Sequence, residues 1–258
     1  MHPHVFSKEM KAVILAAGKG TRMRNLTAEC PKPMLRVHGK PILQHIIEGL
    51  RVNGITEVCI ITGWCAEVIK NYFGDGADFG ITITYVHQTE QNGTGKAAEL
   101  AKDFVDQDDF ILTYGDILVK TETYAQMLRR YVCGDYAGIL TVTAGEDVKK
   151  GGLLFFDNDF CLKYLVEKPT EFQLDQLRDE GLLKEGEPVW YNAGIYIFKP
   201  ILFDYTAKIQ KSPRGEYELT DAIIALLQSQ LRLAGLQIQG RWVDVRDPEV
   251  LAALEAEQ

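Results

Sequence analysis

Lys11-Ala12-Val13-Ile14-Leu15-Ala16-Ala17-Gly18-Lys19-Gly20-Thr21-Arg22-Met23 joins a continuous apolar run to a loop of small residues and two cations. Residues 11–16 read as a buried strand, because every position from Ala12 to Ala16 is apolar and the run ends in small side chains. In open parallel sheets, ligands bind beyond the carboxyl ends of the strands. Small residues there let backbone N–H groups approach an anion closely, and Lys19 and Arg22 add charge. A Walker loop is excluded, since it needs G-x-x-x-x-G-K-[ST] and the chain reads Ala17-Gly18-Lys19-Gly20. The dinucleotide fingerprint stops after Gly18 and Gly20, with Met23 in its third slot. The segment is thus a nucleotide loop of another kind, or a tight turn.

Outward from this strand, β-branched runs alternate with helical patterns. Residues 41–53 read as a helix with Pro41 in its first turn, Leu43, Ile46, Ile47 and Leu50 on one face, and Gly54 as its stop. Strands are expected at 57–62, 81–86, 110–114 and 137–142, and helices at 66–73, 96–104 and 122–131. Beyond Gly151 the rhythm changes. Runs at 153–156 and 162–167 read as a hairpin, and the polar stretch 169–187 as a helix followed by a loop. A strand at 191–198, a helix at 219–231, a strand returning to the sheet at 238–245 and a closing helix at 248–256 complete the pattern. The fold class this implies is α/β: a mostly parallel sheet with helices on both faces. Residues 1–9 read as a flexible leader. Residues 10–258 read as one domain, with a substrate-binding lobe built from its second half.

The chain has 258 residues, 46% of them hydrophobic, which suffices for a full-sized core. Its net charge of -8 argues against a nucleic-acid partner, which would require a basic face. The cysteines at 30, 59, 65, 133 and 161 are odd in number and contain no C-x-x-C pair, so idle thiols in a reducing cytoplasm are expected. No apolar run has the length of a membrane span, and no secretion signal is visible.

Further on come Pro31-Lys32-Pro33-Met34-Leu35 and Gly39-Lys40-Pro41-Ile42. Prolines on both sides of Lys32 restrict the backbone to an extended path that presents one lysine rigidly. Together, LAAGKGTRM, PKPML and GKPI resemble the signature of the sugar-1-phosphate nucleotidylyltransferase family. Further matches are Gln88 with Gly93-Thr94-Gly95, Tyr114-Gly115-Asp116, Gly151-Gly152, Glu167-Lys168-Pro169, Asn192-Ala193-Gly194, residues 215–221 and Trp242-Val243-Asp244-Val245.

The resemblance implies a Rossmann-like three-layer sandwich with a mostly parallel mixed sheet, a nucleotide-binding part over about residues 10–145 and a sugar-binding lobe over about residues 146–258. It also implies condensation of a nucleoside triphosphate with a sugar 1-phosphate, releasing pyrophosphate. Arg22 would steady the triphosphate, Lys32 would bridge the reacting phosphates, and Lys168 would grip the sugar phosphate. Nucleotide contacts carry over onto Leu15, Ala16, Ala17 and Gly18, with Gln88, Gly93 and Thr94 around the base. Sugar contacts fall on Gly152, Glu167 and Asn192. Asp116 and Asp244, each at a strand end, match the family's Mg2+ pair, and two carboxylates from distant sequence suit that hard cation. The segment from Gln88 to Gly95 is similar to the uracil-reading segment of N-acetylglucosamine-1-phosphate uridylyltransferases, so UTP is favoured over dTTP.

A guanylyl- or cytidylyltransferase, or a silent nucleotide-sugar-sensing paralogue, are the alternatives. Partners would be the two substrates, with homo-oligomers common in the family and no membrane or nucleic acid. No hexapeptide repeats follow the transferase motifs, so coupled acetyl transfer is not expected. The ending Trp242 to Pro248 resembles a hexose-1-phosphate branch, in which glycine is common at the position held by Arg246. Thr220 or Asp221 is expected to cap the helix that follows.

Overall fold

The computed structural model describes residues 10–257. The proposed leader, residues 1–9, lies outside the described residues. The first strand is β1 (Met10–Ala16), whose side chains alternate between two cores. Ala12, Ile14 and Ala16 pack with Ile42, Leu43, Ile46, Ile47 and Leu50, whereas Val13 and Leu15 pack with Ala97, Ala98 and Ile223. Because successive side chains on a strand point to opposite faces, one continuously apolar strand buries both sides of a sheet.

The remaining elements follow in order. A short ribbon, β2 (Arg36–Val37) and β3 (Lys40–Pro41), leads into α1 (Ile42–Val52), and β4 (Glu57–Thr62), α2 (Ala66–Phe73) and β5 (Thr82–His87) come next. Then come α3 (Thr94–Glu99), α4 (Lys102–Val105), β6 (Asp109–Tyr114), β7 (Ile117–Val119), α5 (Glu122–Val132) and β8 (Gly138–Thr143). The hairpin β9 (Gly152–Phe156) and β10 (Leu162–Glu167) precedes α6 (Glu171–Asp179) and the long β11 (Trp190–Phe198). The chain ends with α7 (Leu202–Thr206), α8 (Leu219–Gln228), β12 (Leu233–Gln237), β13 (Trp242–Asp244) and α9 (Pro248–Ala256).

The main sheet runs β10-β9-β11-β6-β1-β4-β5, with β8 paired to both β11 and β12. The strands β6-β1-β4-β5 are parallel, and β12 is parallel to β8. Antiparallel pairing is centred on β11, which meets β6, β8 and β9. Helices α1, α2 and α5 cover one face, and α3, α4, α7 and α8 cover the other. The result is the three-layer α/β sandwich with a mixed sheet that the sequence pattern predicts. Among the described residues, no helix is long and apolar enough to cross a membrane. All five thiols are free.

Three expectations are corrected. The helix expected at 96–104 is two pieces, because the Ala101 N–H bonds Ala98 O, one residue short of the α-helical spacing. Ala97, Ala98, Ala101 and Val105 still share one buried face, which is what the apolar pattern records. The strand expected at 238–245 does not return to the sheet. That place is taken by Leu233–Gln237, after which Gly240 (φ 88°) turns the chain and β13 pairs with β7 instead. The Trp242 indole anchors this detour by donating to Ala193 O at 2.8 Å. Finally, α8 ends at Gln228, and neither Thr220 nor Asp221 caps it. Glu218 is its N-cap without a side-chain bond, and the Thr94 hydroxyl accepts the orphan Leu219 N–H at 3.0 Å.

Ile47 is fully buried between α1 and the sheet. Ile47→Ala should lower the unfolding free energy by about 2–5 kcal/mol, read as a reduced urea midpoint at unchanged slope.

Candidate active site

The chain leaves β1 at the carboxyl edge of the sheet and is fixed there by backbone chemistry. The Ala17 carbonyl accepts from Trp64 N at 3.1 Å and from Gln91 Nε2 at 2.9 Å. The loop after β4 packs so closely that a Cβ at Gly63 would stand 2.5 Å from Ala17 O. Gly20 takes φ 61° and starts the 3-10 turn Thr21–Thr27, in which the fully buried Met23 is the anchor. Gly18 differs, since a Cβ there would meet nothing within 4 Å. The protein's own packing thus places no demand for glycine at 18. Its open side faces a cleft of about 400 Å³ that Leu15, Ala16, Ala17 and Gly18 line. A missing side chain at such a spot permits close approach of a ligand.

Lys32 enters this cleft from a 3-10 turn, Lys32–Met34, and only Pro31 before it is extended. The lysine is presented rigidly, as its flanking prolines predict, but by a tight turn closed by Met34 N to Pro31 O at 2.8 Å. Its side chain is buried, and Nζ lies 2.5 Å from Asp116 Oδ2 and 3.7 Å from Asp244 Oδ1. The two carboxylates meet because β13 pairs with β7: Asp244 sits opposite Ile117, and Val245 N donates to Asp116 O at 3.0 Å. Burial raises the Asp244 carboxyl above its ordinary value, and the neighbouring charge of Asp116 raises it further. Lys32, Arg246 and Arg22 act in the opposite sense.

Gln88, Gly93 and Thr94 line the far side of the same cleft. Gln88 is buried, and among the described residues its amide has two marginal contacts, at 3.5 Å to Asn92 Oδ1 and to Gly93 O. Gly93 has φ 124°, and a Cβ there would lie 2.3 Å from Tyr217 O, so no other residue fits. The 215–221 segment clasps this loop through Tyr217 N to Asn92 O and Gly95 N to Tyr217 O, both 2.8 Å.

A second cleft of about 260 Å³ adjoins the first, with Arg22, Thr94, Tyr114 and Asp116 lining both. Gly152, Glu167, Lys168, Asn192 and Asp244 line it as well. A Cβ on Gly152 would come within 3.0 Å of Glu167 Oε2 and 3.4 Å of Asn192 Cβ, crowding both groups. Asn192 Oδ1 accepts from Gly194 N at 3.2 Å and Tyr196 OH at 2.9 Å, which fixes the amide. Burial raises the Glu167 carboxyl, offset by Lys168 and by Arg214. Lys168 holds φ 44°, a conformation costing a non-glycine residue about 1–2 kcal/mol, braced by its N–H to Gly151 O at 3.1 Å. Strain of this kind clusters at binding sites.

Every residue given a nucleotide, sugar, catalytic or metal role from the sequence thus lines one of the two clefts, whereas Lys19 lines neither and stands over the Trp64 ring, 5.3 Å from its centroid. Gln91, Glu216, Glu218 and Arg246 line them too and were given no site role from the sequence. Glu218 is buried and paired with Arg214 at 2.8 Å, and Arg214 reaches Glu167 at 3.6 Å. The Gly215-Glu216-Tyr217-Glu218 motif is visible in the sequence, but its place at the junction of the clefts follows only from its clasp on Gly93.

The family model described as nucleotidyl transferase matches residues 11–257, and the chain belongs to that family. It is 35% identical over 250 residues to the low-salt glycan biosynthesis nucleotidyltransferase of Haloferax volcanii, covering 96% of this chain and 65% of that protein. It is 32% identical over 241 residues to a UTP–glucose-1-phosphate uridylyltransferase of the same organism, covering 93% of each. The fold matches a Bacillus anthracis structure assigned as a glucose-1-phosphate thymidylyltransferase at TM-score 0.81 and 26% identity, over 96% of this chain and 94% of that one. The chain spans just under two thirds of the glycan-biosynthesis relative and about half of the bifunctional GlmU proteins it matches, 53% for that of Methanococcus maripaludis strain C5.

The raised Asp244 carboxyl sets a linkage. A carboxyl raised in the folded state binds protons more tightly folded than unfolded, so its ionisation destabilises the fold as pH rises through the interval above the ordinary carboxylate range. Asp244→Asn, unfolded thermally in the presence of a chelator, should therefore melt higher than the parent at pH 7. The difference should shrink as pH falls toward the ordinary carboxylate range.

Proposed function

We propose that this chain transfers a nucleotidyl group from a nucleoside triphosphate, UTP before dTTP, to a sugar 1-phosphate. The observation that carries the reading is the meeting of Lys32, Asp116 and Asp244 beside the boundary of two clefts, one with a glycine loop and one with a carboxylate and an amide. Two anionic reactants must approach there, so positioning and charge neutralisation supply most of the catalysis. The triphosphate lies along the loop from Leu15 to Gly18, with Arg22 at the rim holding its phosphates. Gln88 offers its nearly unpaired amide to the base edge, and Thr94 and Gly93 shape the wall behind it. Glu167, Asn192 and Gly152 take the sugar hydroxyls, and Lys168 takes the sugar phosphate. An oxygen of that phosphate attacks the α-phosphorus in line, Lys32 stabilises the charge on the reacting phosphates, and pyrophosphate leaves.

Asp116 and Asp244 fit a Mg2+ ion. They are two carboxylates in each other's field, and Asp116 helps raise Asp244, a repulsion that a bound cation relieves. Among the described residues no third His, Cys, Asp or Glu joins them. Mg2+ accepts such a sparse set, because it takes most of its oxygens from phosphates and water. Bound there, it would neutralise charge on the phosphate oxygens. The uracil preference is supported by the resemblance of residues 88–95 and by the uridylyltransferase relative from Haloferax volcanii.

The deciding assay offers UTP, dTTP, CTP, GTP and ATP against a panel of sugar 1-phosphates and measures pyrophosphate. UTP with a hexose or N-acetylhexosamine 1-phosphate should give the fastest release, and no release with any UTP or dTTP pair sinks the reading. Lys32→Ala should lower kcat by about 10²–10³-fold, as for loss of one transition-state charge contact. A rise in KM alone would make Lys32 a binding group only. Asp116→Asn should abolish turnover and leave the circular-dichroism spectrum unchanged.

A further inference from the structure

Arg246 is a cation of the first cleft to which the proposed reaction has assigned no role. It follows β13, its backbone held by its N–H to Asp244 O at 2.8 Å. The side chain lines the first cleft, together with Gly18, Arg22 and Lys32, and does not line the second. Its Nη2 pairs with Glu146 Oε2 at 2.7 Å, with 19% and 24% of the two side chains exposed. Among the described residues, its Nε is buried and finds no acceptor. Glu146 stands on the link between β8 and β9, in the segment leading to Gly151 and Gly152.

Three observations converge on one ligand chemistry. An arginine fork matches two phosphate oxygens at once. This fork has a donor unused in a place removed from water, where it is costly to leave unpaired. It also stands on the loop side of the junction, where Gly18 leaves room and the sugar cleft does not reach. We propose that Arg246 is a further phosphate-binding residue for the triphosphate tail, the part that leaves as pyrophosphate. Glu146 is its resting partner: the carboxylate compensates the partly buried guanidinium and is exchanged for phosphate oxygens when the nucleotide binds. The inference rests on the nucleotidyl-transfer reading.

Calorimetric titration of the full chain with UTP, UDP and UMP in the presence of Mg2+ tests it. Arg246→Ala should weaken UTP binding by about tenfold or more, the scale of a lost hydrogen bond to a charged group, and UMP binding by about twofold at most. Arg246→Lys, which keeps the charge and loses the fork, should fall between. Glu146→Gln frees the guanidinium and should bind UTP as tightly as the parent or more tightly. A merely structural latch predicts the opposite pattern, with Arg246→Ala and Glu146→Gln losing affinity together and equally for UMP and UTP. That pattern, or unchanged UTP binding by Arg246→Ala, overturns the inference. A parent protein that binds none of the three uridine nucleotides overturns the function beneath it instead.

Discussion

The ammonium group of Lys32 holds together parts of the chain that are far apart in sequence. It reaches Asp116, 84 positions away, and lies within ion-pair distance of Asp244 on a different strand. Both carboxylates are partly desolvated, so neither would be comfortable without a cation, and the lysine is buried, so it needs an anion. The glycine loop reaches the same centre through Gly20, whose ideal Cβ would lie 3.0 Å from Lys32 Cβ. The charge arrangement therefore dictates how β1, the Lys32–Met34 turn, β7 and β13 are packed.

Around that centre the protein's global charge has little influence. The chain carries a net charge of -8, yet Arg22, Lys32 and Arg246 all act on the Asp244 carboxyl. Short-range fields in a partly desolvated cleft outweigh distant surface charges, which salt screens within about 10 Å. An acidic protein can thus keep a locally cationic cleft, provided its cations are placed and its surplus carboxylates, such as Glu146, are engaged.

Two departures from easy backbone geometry, at Gly93 and Lys168, line the clefts. Gly93 and Lys168 both take positive φ, one because Tyr217 leaves no room for a side chain and the other despite having one. The first shapes the wall beside Gln88, and the second sets a lysine in the lining of the second cleft. These conformations persist because neighbouring bonds over-determine them, from Tyr217 N to Asn92 O on one side and Lys168 N to Gly151 O on the other.

Much of this was legible in the sequence. Strands 57–62 and helices 66–73 and 248–256 carry strong periodicity or clear stops, and local chemistry suffices to place them. The motif residues from Leu15 to Asp244 were legible as well, because each belongs to a short pattern with its own spacing. What the sequence could not determine was set by pairing between distant segments. Trp242–Asp244 is as β-prone as a sheet strand, and only Gly240 and the Trp242 bond to Ala193 send it to β7, beside Asp116. The cap of α8 comes from Thr94, 125 residues before it, and no local signal could announce that. The partner of Arg246 is likewise a tertiary fact, since Glu146 lies 100 residues away and has no motif of its own. Local propensity determined which elements form and which residues carry charge. Long-range backbone pairing decided which of those charges meet.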